Sequence, residues 1–205
     1  MPTLQSTSLP DPESIRNYLA DTRATLDKLS VQQIQTVIDE LQAAYRDGRQ
    51  VLIVGNGGSA ASATHLAVDL SKTVLGSPVN RGAKRFRALS LTTDISTITA
   101  WANDFSFDHV FAEQIEALGQ PGDLLVVITG SGNSANIIAG VETAKRLGLR
   151  AIGLLGFDGG SVKGMLDAHV LVQSDDYGHV EDMHMVLVHL VTAYFAGIIR
   201  SGRSL

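Results

Sequence analysis

The stretch VLIVGNGGSAASATHLAVDL, residues 51–70, decides the reading of the fold. An apolar, β-branched run ends in Gly55, Asn56, Gly57, Gly58 and Ser59, then passes directly into a helical pattern. Strand, glycine turn and helix in that order open a βαβ unit. The helical half sets His65 and Asp69 four residues apart, which puts both on one face.

The same alternation continues downstream. The runs RALSLTT, DLLVVITG, AIGLLGF and AHVLVQ are separated by helical stretches. Together with the first run they predict a five-stranded parallel sheet covered on both faces, a doubly wound, Rossmann-like core over residues 50–200. Ligands of such sheets bind beyond the carboxyl ends of the strands. Upstream, residues 11–48 carry two amphipathic helical patterns, one through Ile15, Leu19, Leu26 and Leu29, the other through Ile34, Val37, Ile38, Leu41 and Tyr45. Ser30 is the expected N-cap between them and Gly48 the expected stop. Residues 1–10, rich in Ser, Thr and Pro, are expected to be a flexible tail, and residues 11–205 a single domain.

Composition narrows the function. Hydrophobic residues make up 44% and charged residues 18%, the balance of an ordinary soluble protein. No uninterrupted apolar run reaches the ~20 residues of a membrane span, and the N-terminus lacks the basic and apolar regions of a signal peptide. A cytoplasmic location, with no membrane partner, is the expectation. The absence of cysteine excludes disulfides and thiolate chemistry. A net charge of −5 argues against nucleic-acid binding, which relies on clustered Lys and Arg.

A second glycine-rich turn, Thr129, Gly130, Ser131, Gly132, Asn133 and Ser134, follows the third strand and also enters a helix. Glycines allow a ligand close to the backbone, and the helix N-terminus behind them offers free N–H groups. Serine and threonine hydroxyls add donors, so each loop suits a phosphate without any lysine. The plainer alternative for each is a tight turn with a serine cap. Neither loop fits the dinucleotide fingerprint or the P-loop. A phosphomonoester held as a handle is the better match than phosphoryl transfer.

The last helical segment, HVEDMHMVLVHLVTAYF, sets Glu181 and His189 eight residues apart, within about 80° around the axis. His184 is a further candidate. His189 sits among Val186, Leu187, Val188, Leu190 and Val191, which predicts burial. If this helix meets the one carrying His65 and Asp69, two imidazoles and two carboxylates suit Zn²⁺ or another divalent cation, or a proton shuttle. Otherwise they are solvated carboxylates and satisfied core histidines. Asp94, just past the second strand, is placed either to bind sugar hydroxyls or to cap the next helix.

GNGGSAASATHLAVDL, TDISTITAWANDFSFDHVF, GDLLVVITGSGNSANII and EDMHMVLVH together resemble the phosphoheptose isomerases of the sugar isomerase (SIS) superfamily, from about residue 11 to residue 200. The resemblance implies an SIS three-layer sandwich, a homotetramer with active sites between subunits, and one Zn²⁺ per site. It implies interconversion of sedoheptulose 7-phosphate and D-glycero-D-manno-heptose 7-phosphate through an enediol or enediolate. Carried over by position, phosphate-binding groups fall on Ser59, Thr129, Ser131 and Ser134, with Gly57 and Gly130 in the same turns. Substrate contacts fall on Asn56, Asp94 and Glu181. The metal set is His65, Asp69, Glu181 and His189, and the catalytic set Asp69, Glu181 and His189. Two positions depart from the family: Asp69 stands for a glutamate and Glu181 for a glutamine. Two alternatives accompany this reading: a non-catalytic phosphosugar-binding protein like the DnaA initiator-associating protein, and an isomerase of a different phosphosugar.

Overall fold

A computed structural model describes residues 11–76 and 82–201, so the expected N-terminal tail lies outside the described residues. Two helices come first, α1 (Pro12–Asp27) and α2 (Val31–Asp47). Ser30 caps α2 by accepting from the Gln33 amide, and Gly48 ends it in the left-handed region at φ 67°. Both are the residues the sequence pattern marks for those tasks, and both act through local chemistry.

The alternating core follows: β1 (Gln50–Gly55), α3 (Gly58–Ser71), β2 (Arg87–Ser90), α4 (Ile95–Asp104), α5 (Ala112–Leu118), β3 (Leu124–Thr129), α6 (Ala135–Arg146), β4 (Arg150–Gly156), β5 (Ala168–Val172) and α7 (Tyr177–Ser201). All five expected strands are present and all pair in parallel. β2 is shorter than its apolar run. Thr93 turns back to donate to the Ser90 carbonyl, and the Ser90, Thr92 and Thr64 hydroxyls cluster at 2.7 to 3.5 Å, so the chain leaves the sheet there.

The strand order is β2-β1-β3-β4-β5. In that order the chain reverses its winding between β1 and β3. The crevice at such a switch point is where open α/β sheets bind ligands. Both serine-glycine loops leave the sheet there, with Gly55 in register with Ile128.

Alternate side chains of each strand feed two cores. Val51, Ile53, Val126, Ile128 and Ile152 pack beneath Ile34, Val37 and Leu41 of α2, Leu66 and Leu70 of α3, and Met183, Leu187 and Phe195 of α7. Leu52, Val54, Leu125, Val127 and Leu155 face Ile115 of α5 and Ile137 and Val141 of α6. Placing α3 and α7 side by side on one face is what brings their polar residues together. By length and composition α7 is apolar enough to cross a membrane. Here it is a core helix, with Val180, Met183, Leu187, Val191 and Phe195 buried against the sheet.

Candidate active site

The two loops are built so that their helix N-termini stay open. The position before α3 is Gly57, at φ 56°, and neither it nor Ser134 before α6 makes a side-chain cap. The serine-cap alternative therefore does not describe Ser134. Among the described residues, the N–H groups of Gly58, Ser59, Ala135 and Asn136 have no protein partner. Free N–H groups at two helix N-termini beside the Ser59 and Ser134 hydroxyls make a site for a phosphate's oxygens. Thr129 is buried, and its hydroxyl already accepts from the Gly132 amide at 3.2 Å. Ser131 similarly accepts from the Asn133 amide at 3.3 Å. Both oxygens keep their protons available for a ligand.

The loops are tied to each other and braced from behind. Asn56 and Asn136 exchange amide hydrogen bonds at 2.8 and 2.9 Å across the switch point. Asn136 is only 2% exposed, and sequence reasoning did not single it out. Its place two residues after Ser134 in GNSANII is the one clue. Behind the second loop, the Asn133 side-chain oxygen accepts from the Ser161 amide and hydroxyl, both at 2.9 Å, and the Gly132 carbonyl accepts from the Val162 amide at 3.0 Å. Gly132 has φ +64°, and a β-carbon there would lie 2.0 Å from the Gly159 carbonyl oxygen. Only glycine fits that position.

Further along the same face, α3 and α7 converge. His65 Nε2 and His189 Nε2 lie 3.3 Å apart, with the rings nearly edge to face. His65 Nε2 is also 3.5 Å from Asp69 Oδ2. One donor atom from each of His65, Asp69 and His189 falls within 4.8 Å of the others, the convergence that a metal ion requires. Two imidazole nitrogens beside a carboxylate oxygen form an N₂O donor set of the kind that divalent cations take. The residues fit the cation that the sequence implies.

Not every expected residue joins. Glu181 is not part of this cluster. Its carboxylate lies over the first turn of α3, where a β-carbon on Gly58 would sit 2.5 Å from Glu181 Oε1. A carboxylate at a helix N-terminus is favourable there, and a glutamate so placed stands beside the loops instead of the histidines. His189 is exposed, contrary to the burial its apolar neighbours suggested, and Val186 and Leu190 are exposed with it. An α7 that is apolar all round does not announce which face meets the sheet. With His179, His184 is buried instead. His184 is 1% exposed, and burial pushes its imidazole down to about 4. Asp94 caps α4, accepting from the Ser96 and Thr97 amides and, at 2.6 Å, from the Thr97 hydroxyl. Those bonds, the Thr97 hydroxyl first, hold its carboxyl below the usual range. Its position supports the capping role directly, and its carboxylate lines a cavity of about 420 Å³ with Leu89, Thr93 and Trp101.

One further residue escaped the sequence pattern. Thr192, buried on α7, donates to Asp69 Oδ2 at 3.0 Å.

Known proteins share this fold. Residues 17–156 match the SIS domain family. A phosphoheptose isomerase from Paramagnetospirillum magneticum is 43% identical over 171 residues, covering 83% of this chain and 84% of that relative. The solved phosphoheptose isomerase from Neisseria gonorrhoeae superposes with a TM-score of 0.82 at 32% identity, covering 90% of this chain and 98% of that one. That from Francisella tularensis also superposes at 0.82, with 30% identity over 92% of this chain and all of the other. With a five-stranded parallel sheet, a pair of open serine-glycine loops and identity of this extent, the chain belongs to the SIS-domain family of phosphoheptose isomerases and is an isomerase.

Proposed function

We propose that the chain interconverts sedoheptulose 7-phosphate and D-glycero-D-manno-heptose 7-phosphate, with the phosphate held at the β1 and β3 loops and the reacting carbons brought to His65, Asp69 and His189. The convergence of those three donor atoms on the face that α3 shares with the phosphate loop carries the reading. Ser59 and His65 belong to one helix, six residues or about 9 Å apart along its axis. An anchored phosphate thus fixes the far end of the sugar, and binding energy from the remote group orients the carbons that react.

The proton moves between C1 and C2. Asp69 Oδ2 is engaged with His65 and Thr192, which leaves Oδ1 without a partner among the described residues. In this reading Asp69 takes the C1 proton of the ketose, giving an enediolate, and the same proton or one from solvent returns to C2 to give the aldose. His189, which is exposed, supplies and recovers the proton at the carbonyl oxygens while its Nε2 carries no cation. Thr129, Ser131, Ser134 and Ser59 bind the phosphate, with Gly57 and Gly130 keeping the loops close, and Asn56 fixes one loop against the other. Glu181, at the α3 N-terminus, contacts the sugar between the two ends. His65, Asp69 and His189 would hold a divalent cation, and their N and O donors suit Zn²⁺. Such a cation, when bound, polarises a carbonyl and stabilises negative charge on oxygen.

The same reading includes a homotetramer in the cytoplasm, with residues 11–205 as one SIS unit and sites between subunits. Its support is the amount of apolar surface left uncovered: α4 has no buried residue, and Ile15 and Leu19 of α1 and Ile95 of α4 are 55%, 62% and 72% exposed. Surfaces of that kind mark interfaces.

The test is isomerisation in D₂O with and without added Zn²⁺. Deuterium from solvent at C2 of the heptose phosphate is expected. A chain that leaves both sugars unlabelled and unconverted would remove the enediolate route and leave a phosphosugar-binding protein.

A further inference from the structure

Asp69 is the deepest member of the His65, Asp69 and His189 cluster, with its side chain 9% exposed against 45% for His65. A carboxylate taken so far from water needs partners for its oxygens. Its Oδ2 has two: the His65 ring at 3.5 Å and the Thr192 hydroxyl at 3.0 Å. Thr192 comes from the other helix, 123 residues away, so the bond spans the α3–α7 seam.

The threonine's geometry directs that bond. Its hydroxyl also lies 2.8 Å from the Val188 carbonyl, one turn back on α7. In a helix, threonine splits between two side-chain rotamers, one of which makes this contact. That rotamer is the one present, and it points the oxygen across the seam. The hydroxyl carries a single proton, however, and Val188 already receives the Thr192 amide through the ordinary helical ladder. A carboxylate is the stronger acceptor. The proton therefore goes to Asp69.

Resting on the active site just described, we propose that Thr192 is a positioning residue: its hydroxyl holds Asp69 Oδ2 toward the two imidazoles, setting both cation binding and turnover while making no contact with substrate. Fixing a ligand carboxylate from behind is the usual work of groups just outside a metal site, and their loss costs about 10- to 100-fold in affinity or activity.

Thr192→Val keeps the branched shape and removes the hydroxyl, and Thr192→Ser restores the hydroxyl without the methyl. Co²⁺ titration of the full-length protein, followed by its visible spectrum, is expected to give about 10- to 100-fold weaker binding for T192V and near-parent binding for T192S. Isomerase kinetics are expected to show kcat falling in T192V with KM for the sugar phosphate within about twofold, since the phosphate loops are untouched. T192V matching the parent in both readouts, or T192S as impaired as T192V, overturns the proposal. Crystal structures of the parent and both variants separate this from the underlying reading. A parent that neither binds Co²⁺ nor turns over removes the proposed function. The Thr192 proposal is then decided by the Asp69 carboxylate, which must leave its place in T192V and keep it in T192S.

Discussion

The phosphate loops and the histidine cluster are organised on different principles. Each loop is assembled from residues close in sequence: glycines at positive φ, hydroxyls a few residues apart and a helix start. A single long-range pair, Asn56 with Asn136, locks the two together. The cluster has almost no local scaffold beyond the four-residue spacing of His65 and Asp69. It exists because α3 and α7, more than a hundred residues apart, cover the same face of the sheet. In the proposed function, anchorage is therefore a property of turns, and chemistry a property of packing. Changes to the two regions should separate cleanly.

The largest separation comes from His189→Ala. Loss of a proton-transfer group typically costs ~10²–10⁴-fold, so kcat should fall by that much while inhibition by inorganic phosphate stays within about twofold. Equal damage to phosphate binding would mean that the two regions are not independent.

Acid should weaken the helical region first. His184 on α7 is held neutral, its imidazole down at about 4 against an ordinary value near 6.5. Because the unfolded chain binds this proton first, stability is full above pH 6.5 and declines as pH falls toward 4, by roughly 3 kcal/mol across that window. Urea midpoints between pH 7 and 4.5 should show the decline, and His184→Leu should flatten it. An unchanged slope in that variant would assign the acid sensitivity elsewhere.

Within the loops, backbone matters more than side-chain room. Gly132→Ala puts a β-carbon against the Gly159 carbonyl at positive φ and should cost about 2 kcal/mol or more. Gly58→Ala meets only the end of the exposed Glu181 side chain, which can swing away, and should cost under ~1 kcal/mol. Thermal denaturation of the pair checks the order. A reversal would show that the second loop is not braced as described.

Anchorage itself should change far less than turnover does in His189→Ala. Ser131→Ala removes one hydroxyl from the loop, and the loss of one hydrogen bond to a charged group, about 1.5 kcal/mol, raises KM roughly tenfold with little change in kcat. A fall in kcat alone would move Ser131 into the chemistry.

This contrast also explains what could be read from sequence. The five strands, the caps at Ser30 and Gly48 and the two loops were legible because each is decided by neighbouring residues. Asp94 was legible as an alternative, and its carboxylate accepts the cap hydrogen bonds of α4. The exposure of His189 was not legible. A helix apolar on every side carries no periodic signal for which stripe is buried, and here the stripe through Met183, Leu187 and Val191 meets the sheet. The position of Glu181 over Gly58 and the partnership of Thr192 with Asp69 depend on the alignment of two distant helices. No spacing within either helix encodes it.

The most direct test of the α3–α7 seam is a double-mutant cycle on kcat/KM with His65→Ala and His189→Ala. Groups that act as one unit are grossly non-additive, so each single change should cost nearly as much as both together. Losses that simply add would mean that the two histidines work apart, and that the meeting of these helices is not where the reaction occurs.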